Sequence, residues 1–205
     1  MKTFILFLIL TIQLTAYSYG QINPIKYWVD LNDSQKTEIL EQCKSTLIKD
    51  FYEGKLRPTD DDKTSELLGK LVAANDTILP LAFYLFNNIC SKSDGALSEM
   101  VADVCADFLF KRPQYIITFF SREKIAQNHE LLWEKYARYV AYVLSWREYV
   151  LSGFESDSEF NYRDYFEYNY QDYKEKLSVA VQGNKENEET LKIFWQAVDE
   201  AIKSW

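Results

Sequence analysis

The sequence predicts an all-α protein of about eight helices in antiparallel hairpins, arranged as a short helical stack or bundle. Three observations point there. Apolar residues recur at helical spacing through most of the chain. Residue pairs able to cap helices, such as Asp33-Ser34 and Asn75-Asp76, stand just ahead of those periodic runs. A faint repeat links neighbouring helical pairs.

Asp33-Ser34 caps a first helix running to about Tyr52, with Gly54 just past its end. Ile39, Cys43, Thr46, Leu47 and Phe51 share one face of it. Lys55 to Asp62 is the most loop-like stretch, carrying Pro58 and three consecutive aspartates. Thr64 to Ala74 is a second helix, and Asn75-Asp76 caps a third that continues to Ser91, with Pro80 tolerated in its first turn. Ser91 to Gly95 turns the chain into a fourth helix, Ala96 to Lys111. The run Tyr115-Ile-Ile-Thr-Phe-Phe120 has strand propensity taken alone. Arg112-Pro113 reads as a helix start and no second segment offers a strand partner, so Gln114 to Ser121 is assigned as helix. Asn128 to Tyr149, Glu159 to Val181 and Glu188 to Lys203 complete the set, the last two separated by Gly183-Asn184.

Sliding the chain along itself until Ser65-Glu66 meets Ser98-Glu99 also places Ala73 on Ala106, Pro80 on Pro113 and Phe86 on Phe119. Five identities thus fall between Ser65 and Phe86, and the apolar pattern is largely kept. The shift is close to the length of one helical hairpin in stacked-helix proteins. This degenerate hairpin repeat, at about 64–121, resembles in architecture the HEAT and tetratricopeptide class. Neither consensus is present.

Composition bounds the function. The chain of 205 residues is 47% hydrophobic and rich in aromatic rings. That is ample apolar surface for one folded domain. It carries 31 acidic and 23 basic residues, a net charge of −8, and no basic block. Such a balance argues against nucleic-acid binding. Met1-Lys2, the apolar run Phe4 to Leu14 and the small residues Ser18 and Gly20 form the three parts of a secretory leader. The apolar run is little more than half of the about 20 residues needed to span a bilayer. Residues 1–20 are therefore read as a signal peptide cut after Gly20, and 21–205 as a single secreted or periplasmic domain. The first cysteine is Cys43, too far from the apolar run for a lipoprotein anchor. Cys43, Cys90 and Cys105 are too few for a disulfide framework. In an antiparallel hairpin turning near Ser93-Asp94, Cys90 and Cys105 would be offset by roughly 10 Å, beyond bridging reach. All three are read as small buried hydrophobes, with a bridge to Cys43 left open.

Reactive chemistry has few handles here. His129 is the sole histidine and reads as a surface residue at a helix start; no metal-binding spacing surrounds it. Nucleotide-binding glycine loops and the serine-hydrolase elbow are both missing from the sequence. Asp30-Leu-Asn32-Asp-Ser34 with Glu41 imitates a calcium loop, but Gln35 stands where the sharp turn requires Gly, so a helix cap explains the residues better. Asp60-Asp61-Asp62 reads as a solvated loop. Glu99, Asp103 and Asp107 line one side of a helix whose other side carries Leu97, Met100, Val101, Val104 and Phe108, an ordinary amphipathic pattern. Asn32-Asp-Ser34 and Asn75-Asp-Thr77 are formal glycosylation sequons that also fit caps. No catalytic residue, cofactor or metal is assigned.

Two function classes follow. The first is a non-catalytic module that binds a protein or peptide partner, with an inhibitor or immunity protein as a narrower form whose acidity suits a basic partner. The alternative is a helical hydrolase acting on cell-wall or glycan material. The aromatic run Phe154 to Tyr173 suggests where a partner binds. Tyr162, Phe166, Tyr170, Tyr173 and Leu177 form one stripe, whereas Tyr165 and Tyr168 fall beside it. Tyr162, Tyr165 and Tyr168 are the candidate binding residues, because a surface tyrosine offers an apolar face and a hydroxyl. Expression with the leader is expected to yield a secreted chain beginning at Gln21. Intact-mass analysis checks this, and retention of residues 1–20 in the exported material would refute it.

Overall fold

Side-chain caps set where the first helices begin and so how each enters the core. The computed structural model describes residues 25–123, 132–151 and 170–204. Among them nine helices and no strands are found. A 3-10 turn, Trp28–Asp30, precedes α1 (Asp33–Gln42), which is followed by α2 (Thr46–Tyr52) and α3 (Asp62–Val72). Next come α4 (Leu79–Lys92), α5 (Gly95–Lys111), α6 (Pro113–Glu123) and α7 (Leu132–Leu151). The chain ends in α8 (Tyr170–Val181) and α9 (Lys185–Lys203). No described helix is long and apolar enough to cross a membrane.

Asn32, one residue earlier than expected, starts α1. Its side chain accepts from the Gln35 amide at 2.9 Å, while the Gln35 side chain accepts from the Asn32 amide at 3.1 Å. The residues that imitate a calcium loop thus form a capping box. The single helix expected from Asp33 to Tyr52 is broken. Cys43 is extended (ψ 115°), and the Ser45 hydroxyl accepts from the Ile48 amide at 3.3 Å, opening a new helix. A serine able to satisfy a first-turn amide competes with helix continuation, and the break leaves both Cys43 and Ile48 buried. Asp61 caps α3, accepting from the Thr64 amide at 2.7 Å and the Thr59 hydroxyl at 2.9 Å. The Thr64 amide, then the two threonine hydroxyls, hold its carboxyl below the ordinary aspartate value. Asn184 caps α9, accepting from the Asn187 amide at 3.1 Å.

The strand-prone run at Tyr115–Phe120 is helical, as assigned. Ile116, Ile117 and Phe120 point inward with no exposed surface, so helical periodicity hides the β-branched pair and one ring together. The expected beginnings of α7 at Asn128 and of α8 at Glu159 lie outside the described residues.

Rings hold the helices together. Edge-to-face contacts lead from Phe83 to Phe108 (5.8 Å between centroids), from Phe108 to Phe86 (5.3 Å), from Phe86 to Tyr136 (5.9 Å) and from Tyr136 to Phe120 (5.1 Å). Phe120 stacks on Phe194 at 5.8 Å, and Phe194 meets Trp195 at 5.8 Å. The series therefore joins α4, α5, α7, α6 and α9. Two polar bonds tie distant helices together: the Tyr173 hydroxyl donates to the Ala106 carbonyl at 2.8 Å, and the Asn187 side-chain amide donates to the Thr118 hydroxyl at 2.7 Å.

The cysteines require a correction. Cys90 and Cys105 are fully buried and their thiols are neighbours; burial first, then the Cys90 thiol, raises the Cys105 pKa. The expected offset holds only if α4 and α5 run side by side as a hairpin. Instead α5 packs chiefly on α7 and α3, and touches α4 only lightly. All three cysteines are free thiols.

Replacing Phe120 with alanine is expected to cost about 3–5 kcal/mol, the usual range for deleting a large buried ring. Chemical denaturation measures it, and a loss below about 1 kcal/mol would place Phe120 outside the tightly packed core. The thiols should resist a bulky disulfide reagent in the native protein, then all three should react on unfolding. Rapid native labelling of Cys90 or Cys105 would contradict their burial.

Candidate functional site

The segment before α1 is fastened across the molecule. Tyr27 lies among Tyr115, Phe119 and Phe83, at centroid separations of 4.7, 5.2 and 6.3 Å. Its hydroxyl donates to the Tyr115 carbonyl at 2.8 Å, and the Tyr115 hydroxyl donates back to the Lys26 carbonyl at 2.8 Å. The Arg122 guanidinium sits 4.8 Å from the Tyr27 ring centroid and pairs with Asp30 at 2.7 Å. Burial raises the pKa of both tyrosines well above the ordinary value, with Arg122 opposing the shift and Asp30 adding to it. This reciprocal latch fixes Trp28, whose ring stacks on Tyr84 at 6.1 Å and meets Tyr52 edge-on at 5.7 Å.

Beside the latch opens a cleft of about 360 Å³. Its apolar walls are Trp28, Pro80, Phe83, Tyr84, Phe119 and Leu132, and Val29, 68% exposed, continues the apolar surface outward. Asn87, Asn88 and Ser91 from α4 and Lys135 from α7 supply the polar side. Helical spacing places the three α4 residues together, because Asn87 and Ser91 are one turn apart and Asn88 adjoins them. Asn87 is oriented by the Tyr136 hydroxyl, which donates to its side-chain oxygen at 2.8 Å. The Lys135 ammonium donates to the Ser93 carbonyl at 3.1 Å and lies 5.8 Å from the Tyr139 ring. Ser93 and Tyr139 join through their hydroxyls at 2.6 Å, so the lysine is held on a rigid seam. An apolar hollow with a few convergent donors on one side is the usual form of a ligand site.

Comparison with protein-family models, curated proteins and solved structures finds no match to this chain.

Tyr162, Tyr165 and Tyr168, the residues expected to bind a partner, lie outside the described residues, as does His129. Three members of the neighbouring stripe are described. Tyr173 and Leu177 are buried, and Tyr170 is half-buried, its hydroxyl donating to Asp199 at 2.5 Å. Lys174 completes that cluster, 3.6 Å from Asp199 and 4.5 Å from the Tyr170 ring. Glu99 and Asp103 are exposed on α5, while Val101 and Phe108 are buried. No group of three His, Cys, Asp or Glu able to hold a metal ion occurs among the described residues.

The cleft escaped the sequence reading because its walls come from stretches far apart in the chain, each of which reads as core. One signal was present: Asn87-Asn88 interrupts an otherwise apolar helix.

The latch sets a pH dependence. Tyr27 and Tyr115 keep their protons above the pH at which unfolded tyrosines lose theirs, so the folded state binds more protons there. Stability is thus full below about pH 10 and falls as pH rises past it. Urea midpoints at pH 8 and pH 11 measure the drop, which Tyr27→Phe should reduce. An identical drop in that variant would remove Tyr27 as its source.

Proposed function

We propose that this protein is an exported, non-catalytic helical interaction module that binds a protein or peptide in the cleft beside Trp28. The observation that carries the reading is the cleft's composition. Aromatic walls accept an apolar side chain, and amide, hydroxyl and ammonium groups line one side. Buried aromatic anchors seated in such hollows supply much of the affinity in protein and peptide complexes. The latch supports it further, because a preformed cleft loses little freedom on binding. The export part rests on the leader-like composition of residues 1–20. Cutting after Gly20 would leave the latched residues Lys26 to Leu31 intact. The acidic balance of the chain suits a partner that is basic outside the contact itself.

A pull-down from extract of the producing cell tests the reading. Ser91 is exposed at the cleft edge near the end of α4, so Ser91→Arg should fill the mouth while leaving the melting temperature near that of the parent. Loss of a stoichiometric partner with that variant is expected. The double variant Tyr165→Ala, Tyr168→Ala examines the aromatic segment separately. Capture lost there and kept in Ser91→Arg would move the interface from the cleft to that segment.

A further inference from the structure

Lys135 brings an ammonium to the cleft, held there by a backbone carbonyl. The chain carries 31 acidic residues against 23 basic, yet among the described residues no carboxylate pairs with this ammonium at the cleft. Its contacts are a carbonyl oxygen at 3.1 Å and an aromatic ring at 5.8 Å, neither of which neutralises it. Two of the three ammonium hydrogens are left for a further acceptor. The Asn88 side chain, on the same cleft, makes no hydrogen bond within the described residues and offers an additional donor. By contrast, Arg112, just before α6, and Arg122, in its last turn, are engaged: Arg112 with Asp76 at 2.8 Å and Arg122 with Asp30 at 2.7 Å.

We propose that the cleft captures the carboxyl-terminal residue of a polypeptide, with its large apolar side chain between Trp28, Phe83 and Phe119 and its free carboxylate on Lys135 and Asn88. This rests on the cleft reading above and names its ligand. Charge complementarity selects a carboxylate, since an ammonium lacking an acid partner gains most from one in a partly desolvated site. The cleft volume of about 360 Å³ suits a single large side chain. A polypeptide end is favoured over a free aromatic acid by Val29, whose 68% exposed side chain extends the apolar surface past the mouth, where preceding residues of a chain would lie.

The full chain is titrated, by amide chemical-shift changes in α4, with four probes: the tetrapeptide GSGF, its C-terminal amide, N-acetylphenylalanine and N-acetylphenylalaninamide. The free acids are expected to bind about tenfold more tightly than the amides, the scale of one charge-assisted hydrogen bond. Lys135→Gln should abolish that preference and Lys135→Arg retain it, with melting temperature confirming that both variants fold. Equal binding of acid and amide, or a preference that survives Lys135→Gln, overturns the carboxylate while leaving apolar binding in the cleft intact. N-acetylphenylalanine binding as tightly as GSGF overturns the polypeptide end in favour of a free acid. Binding of no probe overturns the inference outright, and the pull-down with Ser91→Arg then decides the cleft reading by itself.

Discussion

Contact between buried aromatic rings is what holds these helices at their angles. The helices are mostly short, and isolated helices of such length are marginal in water. Five of the nine described helices are joined by a set of rings in mutual contact, from Tyr27 through Phe83, Phe108, Phe86, Tyr136 and Phe120 to Phe194 and Trp195. Edge-to-face pairs add directional preference to area burial, so each ring limits the angle at which the next helix can approach. Although α5 packs chiefly on α7 and α3, its Phe108 reaches both Phe83 and Phe86, which lie nearly a turn apart on α4. The neighbouring Cys90 and Cys105 thiols are a by-product of that crossing.

The cleft is where this packing stops. On α4, Phe83 belongs both to the ring series and to the cleft wall, and Asn87, Asn88 and Ser91 carry the lining on toward the end of the helix. A helix needing only to fill a core would carry apolar residues there. The amides interrupt the apolar surface without unsettling it, because the Tyr136 hydroxyl binds Asn87 and the Ser91 hydroxyl returns to the Asn88 carbonyl at 3.2 Å. Charge at this opening is local in character. The net charge of −8 repels anions at long range, whereas within a few ångströms Lys135 sets the sign.

Much of the fold was legible in the sequence, since helix starts are local events. Asn32 with Gln35, Asp61 with Thr64 and Asn184 with Asn187 each place a cap and the amide it binds within three residues. Ser45 obeys the same chemistry, but the apolar face on either side of it continues unbroken, so periodicity concealed the interruption. The Tyr115–Phe120 run was ambiguous because strand propensity reflects side-chain bulk, and that bulk serves a buried helix as well. The site was much less legible. Trp28, Phe83, Phe119 and Leu132 each read as core, and only their meeting leaves a hollow; Lys135 looks like any solvated lysine until its surroundings are visible in three dimensions. Tyr165 and Tyr168, beside the aromatic stripe, and Tyr162, on it, lie outside the described residues.

The two hydrogen bonds by which Lys26 and Tyr27 meet Tyr115 close most of the first half of the chain into one loop. Such a closure cannot occur until Tyr115 has been synthesised, however favourable the final contact. Contacts of this separation also bear the larger share of loop-closure entropy and form late relative to local helices. Residues 26–31 therefore emerge from the ribosome with this fastening still unmade, close behind the stretch read as a leader. Transport through a narrow channel requires an extended chain, and here the fastening that would oppose extension is postponed by the order of synthesis. On the export reading, a chain threaded during synthesis would pass residues 26–31 through before Tyr115, their fastening partner, exists.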